Sequence, residues 1–152
     1  MKKCTVLIMT LAFFGLIHAQ EKGSGTFTFN HFALSVKDVN ISAGFYSKVL
    51  NLQEITNRTE WEGIRWFSMG EGKELHLISI IKEPVSTNKA VHLALTTPDF
   101  GAFVKTLEKE NIPYSDWPGK ANTVNIRTDG IKQIWIQDPD GYWIEVNSVA
   151  QN

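Results

Sequence analysis

Histidine is scarce in this chain, with four among 152 residues. Three of them, His31, His76 and His92, together with Glu145, are the side chains best suited to metal chemistry. His31 opens the phrase HFALSVKD and His92 opens HLALTTPD, 61 positions later. Both phrases run histidine, apolar, alanine, leucine, hydroxyl residue, two variable positions and aspartate. His76 in LHL and Glu145 in IEV are each a polar residue between two apolar ones, at a second offset of 69 positions. The eight extra residues fit inside the long polar stretch 118–130. Alone, a histidine heading a strand is more often a surface or hydrogen-bonded residue than a ligand. Placed jointly at repeat-equivalent positions, the four form a candidate metal site. Imidazole nitrogens and a carboxylate suit one divalent ion, zinc, nickel, cobalt, iron or manganese, without choosing among them.

These side chains need strands to present them. From Phe27 onward Phe29, His31, Ala33 and Ser35 alternate with Phe32, Leu34 and Val36, the period of a strand with an apolar back and a small, polar front. Asp38 offers a helix N-cap, and Ile41, Phe45 and Val49, with Tyr46 and Leu50, make a helical stripe. Asn51 suits a left-handed C-cap. Residues 53–59, 64–69 and 75–81 read as three further strands, joined by turns at Glu62-Gly63 and Gly70-Glu71-Gly72. The second half repeats this order. Residues 91–96 form a strand, and Thr97 is expected to cap a helix striped by Phe100, Phe103, Val104 and Leu107. Residues 113–117 read as a short strand, 131–137 as another and 142–147 as the last, with Asp138-Pro139-Asp140-Gly141 as a turn between the final two. The chain is thus expected to be α+β: two tandem βαβββ modules, about 27–83 and 88–149, packed into one domain because neither module is large enough to be stable alone.

The first residues, MKKCTVLIMTLAFFGLIHAQ, read as a cleavable secretory signal. Two lysines precede an apolar run of about a dozen residues, too short for a span of about 20. Residues 1–19 would be removed and 20–26 would be a flexible lead-in, so the protein is expected to be secreted or periplasmic. The single cysteine, Cys4, falls within that signal, so stability must come from core burial and bound metal rather than disulfides. Losing Lys2 and Lys3 moves the formal charge from −1 to about −3. So mild a charge gives no electrostatic footprint for nucleic acid or an anionic membrane.

The phrases HFALSVKDVNISAGFYSKVLNL, HLALTTPD and IWIQDPDGYWIEV resemble the vicinal oxygen chelate superfamily. It includes glyoxalase I, fosfomycin-resistance enzymes, methylmalonyl-CoA epimerase, extradiol dioxygenases and bleomycin-resistance proteins. The resemblance implies a cupped sheet around one divalent metal, with His31, His76, His92 and Glu145 as ligands. It implies a glyoxalase-like lyase or isomerase acting through an enediolate on a small chelating oxygenated substrate, with Glu145 as the base, and a homodimer. Glyoxalase I has glutamate where this chain has His76, which leaves Glu145 as the one ligand carboxylate. Glu74, two residues before His76 on the same strand face, is a candidate second base or spare ligand. The alternatives are an extradiol-type ring-cleaving dioxygenase and a non-catalytic small-molecule binding protein of the drug-resistance kind.

Around this set, Trp143 and Asn147 share the alternation face of Glu145 and are expected to border substrate. Arg127 lies with Lys120 and Asn125 in the long loop, where an arginine can meet an anionic group. Trp61 and Trp66 flank a hairpin and are expected in core or subunit interface. Asn40-Ile41-Ser42 and Asn57-Arg58-Thr59 match glycosylation acceptors but fall in predicted regular structure.

Overall fold

The computed structural model describes residues 27–150. The expected signal segment lies outside the described residues. The first module runs β1 (His31–Ser35), α1 (Val39–Lys48), β2 (Gln53–Ile55), β3 (Ile64–Gly70) and β4 (Lys73–Ile78). The second runs β5 (His92–Thr96), α2 (Phe100–Lys109), β6 (Asn125–Ile126), β7 (Lys132–Gln137) and β8 (Trp143–Asn147). Each module makes its own four-stranded sheet, ordered β1-β4-β3-β2 and β5-β8-β7-β6. In each, the opening strand pairs parallel with the closing strand, and the other pairs are antiparallel. A parallel pair needs a long crossover, and helix plus meander supply it. The fold is α+β, as expected.

Leu34, Leu75, Leu77 and Phe67 from the first module and Ile134, Ile136, Ile144 and Val146 from the second belong to one buried cluster. These are the alternate, back-facing positions of their strands, so the front faces that carry the histidines are left clear of the core. The modules are also tied by polar contacts at the Asp138–Gly141 turn. Tyr46 Oη donates to Asp138 Oδ2 (2.9 Å), Ser42 Oγ donates to Asp140 Oδ2 (2.8 Å), and Tyr142 Oη donates to the Ser35 carbonyl (2.9 Å). The turn itself closes with Gly141 N–H on the Asp138 carbonyl.

Local chemistry explains most boundaries. Asp38 caps α1, its carboxylate accepting from the amides of Asn40 and Ile41, and Asn51 takes a left-handed φ of 54° just beyond the helix. Several expectations are corrected. Helix α2 is capped by Asp99, whose carboxylate accepts from Ala102 N–H, rather than by Thr97. In α1 the buried face is Ser42, Ala43 and Tyr46, while Ile41 is 62% exposed. Two small residues let the helix approach the sheet closely, and the hydroxyls of Ser42 and Tyr46 reach the aspartates of the other module. Residues 113–117 form only isolated bridges through Ser115, to Ala121 and Trp135. The short edge strand of the second sheet is instead β6, inside the stretch expected to be a loop. Strand β2 is also shorter than the expected 53–59, ending at Ile55.

Candidate functional site

Register makes the two modules equivalent around the candidate ligands. Ala33 lies opposite His76 in the β1–β4 pair, and Ala94 lies opposite Glu145 in the β5–β8 pair. The two offsets, 61 and 69, are therefore both used in one geometric relation. The same register places Trp66 across from His76 and Trp135 across from Glu145. This tryptophan pair was also available in the sequence, at the 69-residue offset.

Each module brings its own two candidate ligands together. In the second, His92 Nε2 stands 3.3 Å from Glu145 Oε2. His92 Nδ1 lies 2.9 Å from the Lys89 carbonyl, and because a carbonyl only accepts, Nδ1 carries the hydrogen. In the neutral ring Nε2 then presents a bare lone pair to a carboxylate oxygen. Two acceptors facing each other are reconciled either by a proton on Nε2, which makes an imidazolium–carboxylate pair, or by a metal cation between them. Donors about 2.0–2.2 Å from one ion, at angles from about 90° to tetrahedral, stand about 3.0–3.5 Å apart. The His92–Glu145 spacing fits a shared divalent ion. Glu145 is 7% exposed, and its other oxygen, Oε1, accepts from Gln133 Nε2 (2.7 Å) and Asn147 Nδ2 (2.9 Å). Gln133 is held in turn by Asn125, and Asn147 by Thr96. Ligating carboxylates are commonly oriented by such outer hydrogen bonds.

The first module is arranged differently. His31 and His76 stack with ring centroids 4.4 Å apart and planes inclined by 14°. Lone pairs lie in the ring planes, so in this arrangement the two rings point side by side rather than at a common ion. His76 also stacks on Trp66 at 4.0 Å, and the Arg58 guanidinium covers the indole at 4.5 Å. Glu74 reaches around Trp66 to link two members of this column, His76 Nε2 (2.9 Å) and Arg58 (2.7 Å). His76 first and Arg58 second hold the Glu74 carboxyl below the usual carboxylate range. His31 is exposed and shares a hydrogen bond with Asn30. Among the described residues no group of three or more histidine, cysteine, aspartate or glutamate side chains stands close enough to hold a metal ion. The two pairs do not meet.

The other expected site residues fall in distinct places. Trp143 is half-buried, in register with His92. Asn147 is buried and spends its amide on Glu145 and its carbonyl oxygen on Thr96 and Val149, so it orients the carboxylate. Arg127 sits in the β6–β7 turn, paired with Asp129. Trp61 is exposed, whereas Trp66 is buried in the histidine column.

Sequence reasoning missed Gln133, Arg58 and Lys89. Lys89 precedes β5, and its ammonium donates to Ser115 Oγ (3.0 Å), the Asp116 carbonyl and the Trp117 carbonyl (3.2 Å). It also lies 4.8–5.9 Å from the ring centroids of Trp143, Trp135 and Trp117. Burial pushes its pKa down, with Asp116 opposing. Trp117 is 48% exposed, and both it and Trp135 approach His92 edge-on, at 6.4 and 6.5 Å. An apolar wall thus flanks the second pair.

Known proteins share this architecture. A family model described as Glyoxalase/Bleomycin resistance protein/Dioxygenase superfamily matches residues 28–146. The Bacillus subtilis (strain 168) protein named "Uncharacterized protein YwbC" is 30% identical over 122 residues, covering 76% of this chain and 93% of its own length. Among solved structures, oxidase ChaP-H2 is 16% identical with a TM-score of 0.64, over 84% of this chain and 98% of its own. Lactoylglutathione lyase from Agrobacterium tumefaciens is 18% identical with a TM-score of 0.60, over 80% and 92%. These two likenesses are of fold. With a family model matched over most of its length, the chain belongs to the Glyoxalase/Bleomycin resistance protein/Dioxygenase superfamily.

Proposed function

We propose that this protein is an exported, divalent-metal-dependent enzyme of the glyoxalase type, with lyase or isomerase activity on a small oxygenated substrate. His92 and Glu145 would hold the ion, with His31 and His76 as the remaining ligands once released from Asn30 and Glu74. The observation that carries this reading is the facing pair of acceptors, His92 Nε2 and Glu145 Oε2, at 3.3 Å. Because the histidine pair and the His92–Glu145 pair do not meet, the reading includes a homodimer in which one chain supplies the first pair and its partner the second. The bound ion would supply Lewis acidity to a chelated oxygen. The chain's own groups do the rest. Gln133 and Asn147 fix Glu145 Oε1, so Oε2 would serve as the metal-facing oxygen and, once a chelating substrate displaces it, as the atom that takes a proton from a carbon next to the chelated oxygen. The indoles of Trp117 and Trp143 exclude water from one side.

The test is metal content and activity together. Protein purified without chelators is expected to hold stoichiometric divalent metal, to lose it in His92→Ala and Glu145→Ala, and to isomerise small 2-hydroxycarbonyl compounds. Absence of stoichiometric metal would sink the enzyme reading and favour a small-molecule binder. Bound iron with dioxygen uptake would point to the dioxygenase. Mixing inactive His76→Ala with inactive His92→Ala is expected to restore activity through mixed dimers. If each variant stays inactive after mixing, the shared site is wrong.

A further inference from the structure

We infer that Lys89 is a positioning residue for the His92–Glu145 pair, its ammonium anchoring the turn whose carbonyl sets which nitrogen of His92 carries hydrogen. The inference rests on the proposed metal site, since it concerns how one ligand is presented.

The chain of contacts is short. Asn88 forms a tight turn, its side-chain oxygen accepting from Ala90 N–H (3.0 Å) and its carbonyl from Val91 N–H (3.0 Å). The turn points the Lys89 carbonyl at His92 Nδ1. Asn88 and Ala90 are exposed, so local bonds alone leave this turn weakly fixed. The Lys89 side chain crosses instead to the strap 115–117. There all three ammonium hydrogens find acceptors, the Ser115 hydroxyl and the carbonyls of Asp116 and Trp117. Three indole rings surround the same charge and favour a cation there. A lysine so saturated has no hydrogen left for a substrate. What it does is hold its own backbone, and with it the carbonyl that keeps Nδ1–H in place and Nε2 bare toward Glu145. Metal-ligating histidines are usually fixed through their other ring nitrogen in this way, and loss of such a partner weakens metal binding by about 10–100-fold. Thr87 ties the same linker to the Gly141 carbonyl at 2.8 Å, so truncating Lys89 leaves the linker attached.

The experiment uses the full chain with ¹⁵N-labelled imidazoles, metal-free and at a pH about two units above the usual histidine pKa. Long-range proton–nitrogen correlation reads the His92 tautomer, and titration with cobalt(II) alone reads affinity. Wild type is expected to show the Nδ1–H tautomer. Lys89→Met is expected to show a mixture of tautomers and about 10–100-fold weaker cobalt binding. Lys89→Arg, which keeps charge and donors, is expected to restore much of both. A lysine that merely stabilises the fold would lower the melting temperature and leave the tautomer unchanged, and that result overturns the assignment. If wild type takes up no cobalt while Lys89→Met still shifts the tautomer, the metal reading fails and the hold of Lys89 on His92 stands.

Discussion

Replacing Tyr46 by phenylalanine removes one hydroxyl at the seam between the modules, and its cost follows from what that hydroxyl faces. Asp138 is 5% exposed, and its Oδ2 accepts from Tyr46 Oη at 2.9 Å, while Oδ1 accepts from the amides of Asp140 and Tyr142. Burial holds the Asp138 carboxyl above its usual range, and those three donors oppose the shift. Burial and the neighbouring Asp138 likewise push the Tyr46 phenol upward, so it stays a donor. Hydrogen bonds to charged groups contribute roughly 1.5–3 kcal/mol, so Tyr46→Phe should cost about that much at pH 7. For a domain of this size that corresponds to a fall in melting temperature of roughly 5–12 °C. The pH dependence gives a second handle. A buried aspartate with a raised folded pKa binds protons more readily than the unfolded chain. Stability therefore falls as pH climbs from about 3.9, the unfolded value, through the folded one. Below the unfolded value, at pH about 3.5, Asp138 is mostly protonated, the charged hydrogen bond is weakened, and the cost of Tyr46→Phe should shrink toward about 1 kcal/mol. Urea unfolding at both pH values measures this, with Tyr142→Phe, whose hydroxyl donates to the neutral Ser35 carbonyl, as the comparison. A Tyr46→Phe cost below about 0.5 kcal/mol at pH 7, or one equal at the two pH values, would refute the reasoning.

Two further outcomes test the site's supports and the backbone. Gln133→Leu strips Glu145 Oε1 of one of its two amide donors and leaves Asn125 without that partner. A stability loss of about 1–3 kcal/mol is expected by chemical denaturation, and no loss would mean that Gln133 does not hold the carboxylate. Glu60 adopts a left-handed φ of 59° on the exposed approach to β3. Glu60→Gly should raise stability by about 0.5–1 kcal/mol because glycine meets no Cβ clash there, and a lower melting temperature would contradict that account.

Much of this protein was legible in its residues because the signals are local or repeated. Asp38 caps a helix because its carboxylate reaches amides two and three residues on, and Asn51 turns left-handed because its side chain tolerates that backbone. The doubled phrase starting at His31 and His92, with His76 and Glu145 at the second offset, fixed two equivalent modules with their polar faces forward. A strand's period of two puts those side chains on one face whatever packs behind. The reading failed where neighbours distant in sequence compete. Thr97 and Asp99 are both good caps, and the one the helix uses depends on how the chain leaves β5. Ile41 belongs to an apolar stripe, yet Ser42 and Ala43 are buried because small residues let α1 approach its own sheet closely, with the Ser42 hydroxyl reaching Asp140 of the other module.

The candidate site divides along the same line. Sequence alone determined which side chains have ligand chemistry and that they come in equivalent pairs. Only tertiary structure decided where each points: His92 with Nε2 facing Glu145, His76 sandwiched between Trp66 and His31 and bound to Glu74. Lys89 shows why. It sits in an exposed linker with no pattern around it, and its partners lie 26–28 residues away at Ser115, Asp116 and Trp117. A hydrogen-bond acceptor supplied by a folded backbone leaves no mark on the identity of the residues that carry it.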